Sequence, residues 1–187
     1  MSDRFHTTQL PLQGLTLIER RPIGDARGFL ERVFCADTFT ALGVTEPIAQ
    51  INRTLTTQCG TVRGMHYQNQ PHAEIKLVSC LRGKVFDVAI DLRAGSPTFL
   101  CWHGEILSEA NHHSLLIPEG FAHGFQTLVD DCELLYFHSK NYAPKSEAGI
   151  CPTDPQIKIT WPLPIAELSQ RDAGHGLLSK NYEGIIL

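Results

Sequence analysis

One segment narrows the choice of fold more than any other: residues 84–93, KVFDVAIDLR. Phe86, Val88, Ile90 and Leu92 fall on one side of an alternation, and Val85, Asp87, Ala89 and Asp91 on the other. An extended chain turns successive side chains to opposite faces, so a period of two predicts a strand and not a helix. From about Thr54 to Tyr142 further short segments of this kind follow: 61–68, 75–81, 99–107, 113–117, 124–128 and 133–139. Turn formers separate them, among them Arg82-Gly83-Lys84, Ala94-Gly95-Ser96-Pro97 and Pro118-Glu119-Gly120. Helix signals are few: 36–42 is one short candidate, and 164–172, with Pro164 in its first turn, is another. The pattern predicts an all-β sandwich or barrel with short peripheral helices. With 187 residues, one domain over 1–187 is expected. The stretch 173–187, rich in glycine, is expected to be loosely held.

Several function classes drop out. Sixteen Lys and Arg against 20 Asp and Glu give a net charge of −4, which supplies no drive toward nucleic acid or an anionic membrane. No apolar run approaches the roughly 20 residues that span a bilayer, and the first residues carry charge where a signal peptide needs an apolar core. The six cysteines form neither CxxC pairs nor zinc-type Cys/His spacings, so reduced thiols in a cytoplasmic protein are expected. Walker, GxGxxG and GxSxG motifs are missing; Gly83-Lys84 is followed by Val85 and not by a hydroxyl residue.

Polar groups set into the strand-like segments carry the chemistry: His66 in RGMHYQ, Lys76 in EIKLV, His123 in GFAHGF and Tyr136 in ELLYFHS. If the sheets close on themselves, alternate residues point inward and these four line one cavity. Each alone has an ordinary structural explanation, but four ionisable groups entering one small barrel carry a desolvation cost of several kcal/mol unless partnered. Metal binding is the obvious use of inward histidines, and the Gly60–His66 and Pro118–His123 spacings resemble the two halves of the cupin metal signature. The second histidine of its HxH pair is here Gln68, and Lys76 stands nearby to repel a cation, so no metal is expected. Without metal, a neutral His takes a proton, a Tyr gives one and a Lys ammonium stabilises an oxyanion. That set suits removal and return of a proton alpha to a carbonyl. Arg27 and Arg63 suit a phosphate or diphosphate handle.

Taken in order, RGMHYQ, KLV, GKVFDVAIDLR, GSPTF, IPEGFAHGF, LLY and DPQIKITWP strongly resemble the dTDP-4-dehydrorhamnose 3,5-epimerase family, over residues 15–172. The resemblance implies a metal- and cofactor-independent cupin-type jelly roll (double-stranded β-helix), usually a homodimer. It implies inversion of C3, C5 or both of a nucleoside-diphospho-4-keto-6-deoxyhexose, a step in making deoxysugars for polysaccharides. By the same resemblance His66 is the general base, Asp172 its carboxylate, Tyr136 the acid on the opposite face, Lys76 the stabiliser of charge on O4 and His123 a second sugar-site histidine. Arg27, Phe29, Arg63, Glu147 and Arg171 correspond to positions that hold the diphosphate and nucleoside. The chain departs from the family twice. Five places beyond Arg27 it has Arg32, with Glu31 one earlier, where an acid is usual; five places beyond Tyr136 it has Asn141, then Tyr142, where an aromatic stacks on the base. Both departures concern the nucleobase, so thymidine, cytidine or another base stays open. Three further readings stay open too: a single-carbon epimerase, a ketoisomerase on the same substrates, and a non-catalytic sugar-nucleotide- or metal-binding cupin module.

Overall fold

A computed structural model of the chain describes residues 4–187. Its strands in chain order are β1 (Phe5–Gln9), β2 (Thr16–Arg20), β3 (Ile23–Asp25), β4 (Gly28–Leu30), β5 (Gln50–Thr56), β6 (Thr61–Gln68), β7 (Lys76–Arg82), β8 (Lys84–Asp91), β9 (Trp102–Ser108), β10 (His113–Ile117), β11 (Phe121–Thr127), β12 (Cys132–His138), β13 (Glu147–Gly149) and β14 (Glu167–Leu168). Two short helices accompany them, α1 (Ala36–Thr40) and α2 (Gln170–Ala173). One sheet runs β1-β2-β10-β7-β12-β5, the other β13-β6-β11-β8-β9 with β14 added in parallel to β6, and β3 and β4 form a separate hairpin. The expected all-β jelly roll with peripheral helices is what the chain forms.

The alternation of β8 decides the layering. Val85 and Ala89 enter the space between the sheets with Val78, Cys80, Leu115, Phe125 and Leu134. Val88, Ile90 and Leu92 face outward, where they meet Met65, Ile150, Ile157 and Ile185. A third cluster, Phe5, Ile18, Phe39, Val44, Leu77, Leu116 and Phe137, covers the outer face of the first sheet beneath α1. The intersheet space is thus apolar at one end, and the inward polar residues gather at the other.

In β6 a glycine changes which residues face inward. His123 pairs with His66 and Phe125 with Arg63, so β6 spends one residue more than β11 over the same stretch. This bulge flips the parity of the strand, and Arg63 and His66, three apart, both line the interior cavity. The extra residue fits because Gly64 sits at φ 126°. A Cβ there would lie 2.6 Å from Gly124 Cα and 2.8 Å from the His123 carbonyl oxygen.

Four expectations need correction. The predicted helix over 164–172 is not formed: the segment is extended through β14, the Ala166 N–H donates to the Gly60 carbonyl, and only α2 is helical. Ser169 and not Pro164 starts it, because its side chain accepts the Asp172 N–H and caps the turn. The stretch 173–187 is docked, not loose. Ile185 packs into the outer cluster, its N–H donates to the Leu92 carbonyl, and Tyr182 stacks on Phe99. The strand over 99–107 begins only at Trp102, because the Asp91 carboxylate collects Arg93, Ser96 and Thr98 into a turn ahead of it. The strand over 124–128 begins earlier, at Phe121.

Candidate active site

A cavity of about 780 Å³ opens at the polar end of the intersheet space. Each sheet supplies one wall, and the C-terminal segment closes one side with Glu167, Ser169, Arg171 and Asp172.

His66 on β6 is held from below by that segment. Its Nε2 lies 2.7 Å from Asp172 Oδ1, and Asp172 Oδ2 accepts the Gly64 N–H at 3.1 Å. The helix cap that seats α2 therefore also aims the carboxylate, since Ser169 Oγ accepts the Asp172 N–H at 3.0 Å. Burial works to raise the Asp172 carboxyl, but the hydrogen bonds from His66 and Gly64 outweigh it and hold it at about 2. An ionised Asp172 orients the imidazole through Nε2. Arg171 Nη2 lies 3.0 Å from the same Nε2, and its guanidinium is held by Glu147 at 3.1 Å. Tyr142 donates to the other Glu147 oxygen at 2.8 Å.

The depressed Asp172 carboxyl also makes stability depend on pH. Its folded value lies below the ordinary 3.8, so the stabilisation is fully present above pH 4 and is lost as pH falls toward 2. Asp172→Asn is expected to be less stable than the parent by about 2 kcal/mol at neutral pH. In acid-unfolding curves the gap should narrow as pH falls below about 4 and close near pH 2; a gap independent of pH counts against the ionised carboxylate.

Tyr136 stands on β12, in the sheet opposite His66. Burial pushes its phenol above the ordinary range and the neighbouring Asp87 anion adds to this, so the hydroxyl keeps its proton at neutral pH. Behind it His123 Nε2 contacts both oxygens of Asp87 at 2.9 and 3.0 Å, and the His123 ring stands edge-on to Tyr136. Burial drives the Asp87 carboxyl upward against the pull of His123 and Lys76. Lys76, at the start of β7, spans the two sheets: its Nζ donates to the His66 carbonyl oxygen at 3.2 Å and pairs with Glu74 at 3.3 Å. Arg63 reaches across the rim from β6 to β5, where its Nε donates to Thr56 Oγ1 at 2.9 Å.

The cavity thus gathers His66, Lys76, His123, Tyr136, Asp172, Arg63, Glu147, Arg171 and Tyr142. Asn141 does not line the cavity; its backbone carbonyl accepts from Nε2 of Gln68, which does. Arg27 and Phe29 are not brought there by this chain. They lie on the exposed β3–β4 hairpin, with Arg27 paired to Asp25 and Phe29 edge-on to His112. Sequence reasoning missed Asn52, Glu74, Asp87 and His138. The available signal was parity: Glu74 shares a face with Lys76, and His138 with Tyr136. His175 was missed as well; it lies edge-on to His66 with its Nε2 3.9 Å from Asp172 Oδ1. Among the described residues His66, Asp172 and His175 bring three ligand atoms within 4.8 Å of one another. The Arg171 guanidinium beside His66 and Asp172 sets a positive charge against a cation there.

Chemically, a carboxylate-backed imidazole faces a buried phenol across a cavity with an ammonium between them. The family model described as dTDP-4-dehydrorhamnose 3,5-epimerase matches residues 9–180. The dTDP-4-dehydrorhamnose 3,5-epimerase of Sinorhizobium fredii is 40% identical over 172 residues, covering 91% of this chain and 88% of that protein. The dTDP-4-dehydrorhamnose 3-epimerase of Streptomyces niveus is 37% identical over 179 residues, covering 95% and 86%. Among solved structures, the dTDP-6-deoxy-D-glucose-3,5-epimerase of Legionella pneumophila in complex with dTDP-4-keto-L-rhamnose superimposes with a TM-score of 0.88 at 42% identity, covering 92% of each chain.

Proposed function

The chain belongs to the dTDP-4-dehydrorhamnose 3,5-epimerase family, and we propose that it inverts C3, C5 or both of a nucleoside-diphospho-4-keto-6-deoxyhexose. The observation that carries this reading is the placement of the His66–Asp172 pair and Tyr136 on opposing sheets around one cavity. Inversion needs a proton removed from one face of the sugar and one delivered to the other, so base and acid must stand across the ring.

The hydrogens at C3 and C5 are acidic because the electron pair left behind spreads onto the C4 oxygen. Neutral His66 takes the proton, and Asp172 stabilises the resulting imidazolium. The Lys76 ammonium meets the negative charge developing on O4. Tyr136 then gives its proton to the opposite face of the same carbon, and solvent returns both groups to their starting states. Arg63 and Arg171 suit the diphosphate, and Tyr142 at the cavity mouth suits the base. The structure of the Legionella pneumophila relative holds a dTDP-linked 4-keto sugar, which supports a dTDP-linked substrate here. The Streptomyces niveus relative, a 3-epimerase, supports the narrower alternative of inversion at one carbon.

A homodimer fits the same reading. Phe29, at 67% exposure, and Leu30, at 69%, lie on the hairpin, while Ile51 and Leu55 are exposed on β5, an edge strand. Apolar side chains beside an unpaired strand edge invite a second copy, which would bring Arg27 and Phe29 toward a neighbour's cavity. Sedimentation should give twice the 20.8 kDa chain; a single species at chain mass removes the dimer. All six cysteines are free, which supports a reducing, cytoplasmic location.

The function is tested by proton NMR of dTDP-4-keto-6-deoxyglucose and its CDP counterpart with the protein in D2O. Loss of the C3 and C5 signals with formation of the doubly inverted product marks a 3,5-epimerase, and exchange with inversion at one carbon marks a single-site enzyme. No exchange with either nucleotide removes the assignment for these substrates.

A further inference from the structure

A third carboxylate–imidazole pair, Glu74 with His138, lines the cavity beside His66–Asp172 and His123–Asp87, and the proton transfers between His66, Tyr136 and the sugar do not use it. Glu74 lies two residues ahead of β7, its side chain is 8% exposed, and its two oxygens are divided between a lysine and a histidine. Oε1 lies 3.3 Å from Lys76 Nζ, and Oε2 accepts from His138 Nδ1 at 3.0 Å. On the far side of that ring, His138 Nε2 lies 3.4 Å from Asn52 Nδ2. An amide N–H can only donate, so Nε2 accepts and the proton sits on Nδ1, pointing at Glu74. His138 in turn stacks on Tyr136, with ring centroids 6.0 Å apart and planes 17° from parallel.

We propose that Glu74 is a positioning residue that keeps the Lys76 ammonium charged and aimed at the substrate's C4 oxygen, with His138 fixing Glu74 in place. The chain Asn52–His138–Glu74–Lys76 runs from the β5 edge to the gap between the sheets and passes beside the Tyr136 ring. Lys76 is only 7% exposed, and a buried ammonium loses its proton unless an anion stands against it. Its titratable and polar surroundings are Glu74, Asp87 on β8, His123 on β11, His138 and Tyr136 on β12 and the His66 carbonyl on β6. Glu74 is the anion in direct contact. Asp87 is engaged by His123, whose Nε2 contacts both of its oxygens. Glu74 itself stays ionised: burial works to raise its carboxyl, and His138 and Lys76 together pull it below the ordinary range.

The inference rests on the epimerase reading for what Lys76 does, but not for what Glu74 does to Lys76. The test is Glu74→Gln, which keeps size and shape and removes the charge. Two things are read: the pH profile of kcat, and the 13Cε titration of Lys76 in protein carrying labelled lysine, with the resonance assigned by its loss in Lys76→Met. Both the alkaline limb of kcat and the titration midpoint should fall by about one pH unit or more. At neutral pH kcat should fall roughly tenfold or more with KM changed less than about threefold, as expected for a group acting on the transition state. Tyr136 is not the group expected to respond, because burial and Asp87, not Glu74, push its phenol above the ordinary range. Glu74→Asp, which keeps a carboxylate, should restore the limb.

A Lys76 midpoint in Glu74→Gln equal to the parent's overturns the proposal whether or not the protein turns over substrate. An unchanged midpoint is therefore distinct from failure of the epimerase reading, which would appear as a parent protein without deuterium exchange. Should the Gln variant not fold, His138→Phe carries the test, since it keeps a ring on Tyr136 and removes the donor to Glu74 together with the acceptor for Asn52. There kcat should fall while the alkaline limb stays in place, and an unchanged kcat overturns the role of the pair.

Discussion

Replacing His66 by alanine is expected to abolish solvent exchange at both C3 and C5 while the nucleotide still binds. The general base is typically worth about 10²–10⁴ in rate. Here it is also the group on which Asp172 acts, so the two do not contribute independently. A fall in kcat/KM of about 10³, or about 4 kcal/mol, is expected for His66→Ala. Asp172→Asn should lose less, because the imidazole remains and only its tautomer and its charged form lose support. Adding the second substitution to the first should then cost little more. The measurement is deuterium incorporation at C3 and C5 by NMR, with dTDP affinity by calorimetry as the control. Undiminished exchange in His66→Ala removes this residue from the role of base and points to another proton acceptor on the same wall.

Tyr136→Phe should uncouple proton exchange from inversion, which proceed together in the parent. Its base face is intact, so His66 still removes the proton, exchanges it with solvent and returns it to the face it came from. Deuterium therefore enters C3 and C5, while the inverted product fails to accumulate. Its rate of inversion should fall by about 10²–10³ with exchange reduced less than tenfold. The phenol is in the right state for the task, since burial and Asp87 hold it protonated at neutral pH. Following exchange and product stereochemistry in one NMR sample checks the outcome. Parallel loss of both would mean that one group serves both faces, which the placement of these residues on opposing sheets does not allow.

How much of this was legible in the sequence depended on whether the signal was local. The period of two in 84–93 was enough to place β8, and it is also why Val85 and Ala89 enter the interior while Val88 and Ile90 leave it. The inward direction of Lys76 and Tyr136 followed from the same parity. Edge strands were harder. In β5 Arg53 stands between Ile51 and Leu55 and breaks the apolar side of the alternation, and that side is the exposed one. In β2 the buried position after Ile18 is Arg20, paired with Glu31 at 2.9 Å, and its charge hides the alternation. Gly64 shows in the sequence as a glycine inside a strand, a sign of a bulge. That it turns Arg63 and His66 to the same side depends on its partner β11 and not on β6 itself. Asp172 could be assigned only through resemblance, since nothing local joins it to a histidine 106 residues away. The Glu74–His138 pair was open to parity reasoning and was passed over.

The C-terminal cap has a consequence for how the protein is made. Synthesis proceeds from the N-terminus and domains begin to fold as they emerge. By the time β13 has appeared, every strand of the two sheets except β14 is present, and His66 already lies beside its partners on β11. Its carboxylate is still unsynthesised. A nascent chain halted between Gly149 and Ser169 would carry the cavity walls, the ammonium and the phenol, yet its imidazole would lack the anion that readies it. On the proposed mechanism, chemical competence would arrive as a discrete event late in translation, once Asp172 has followed Ser169 and the cap between them closes.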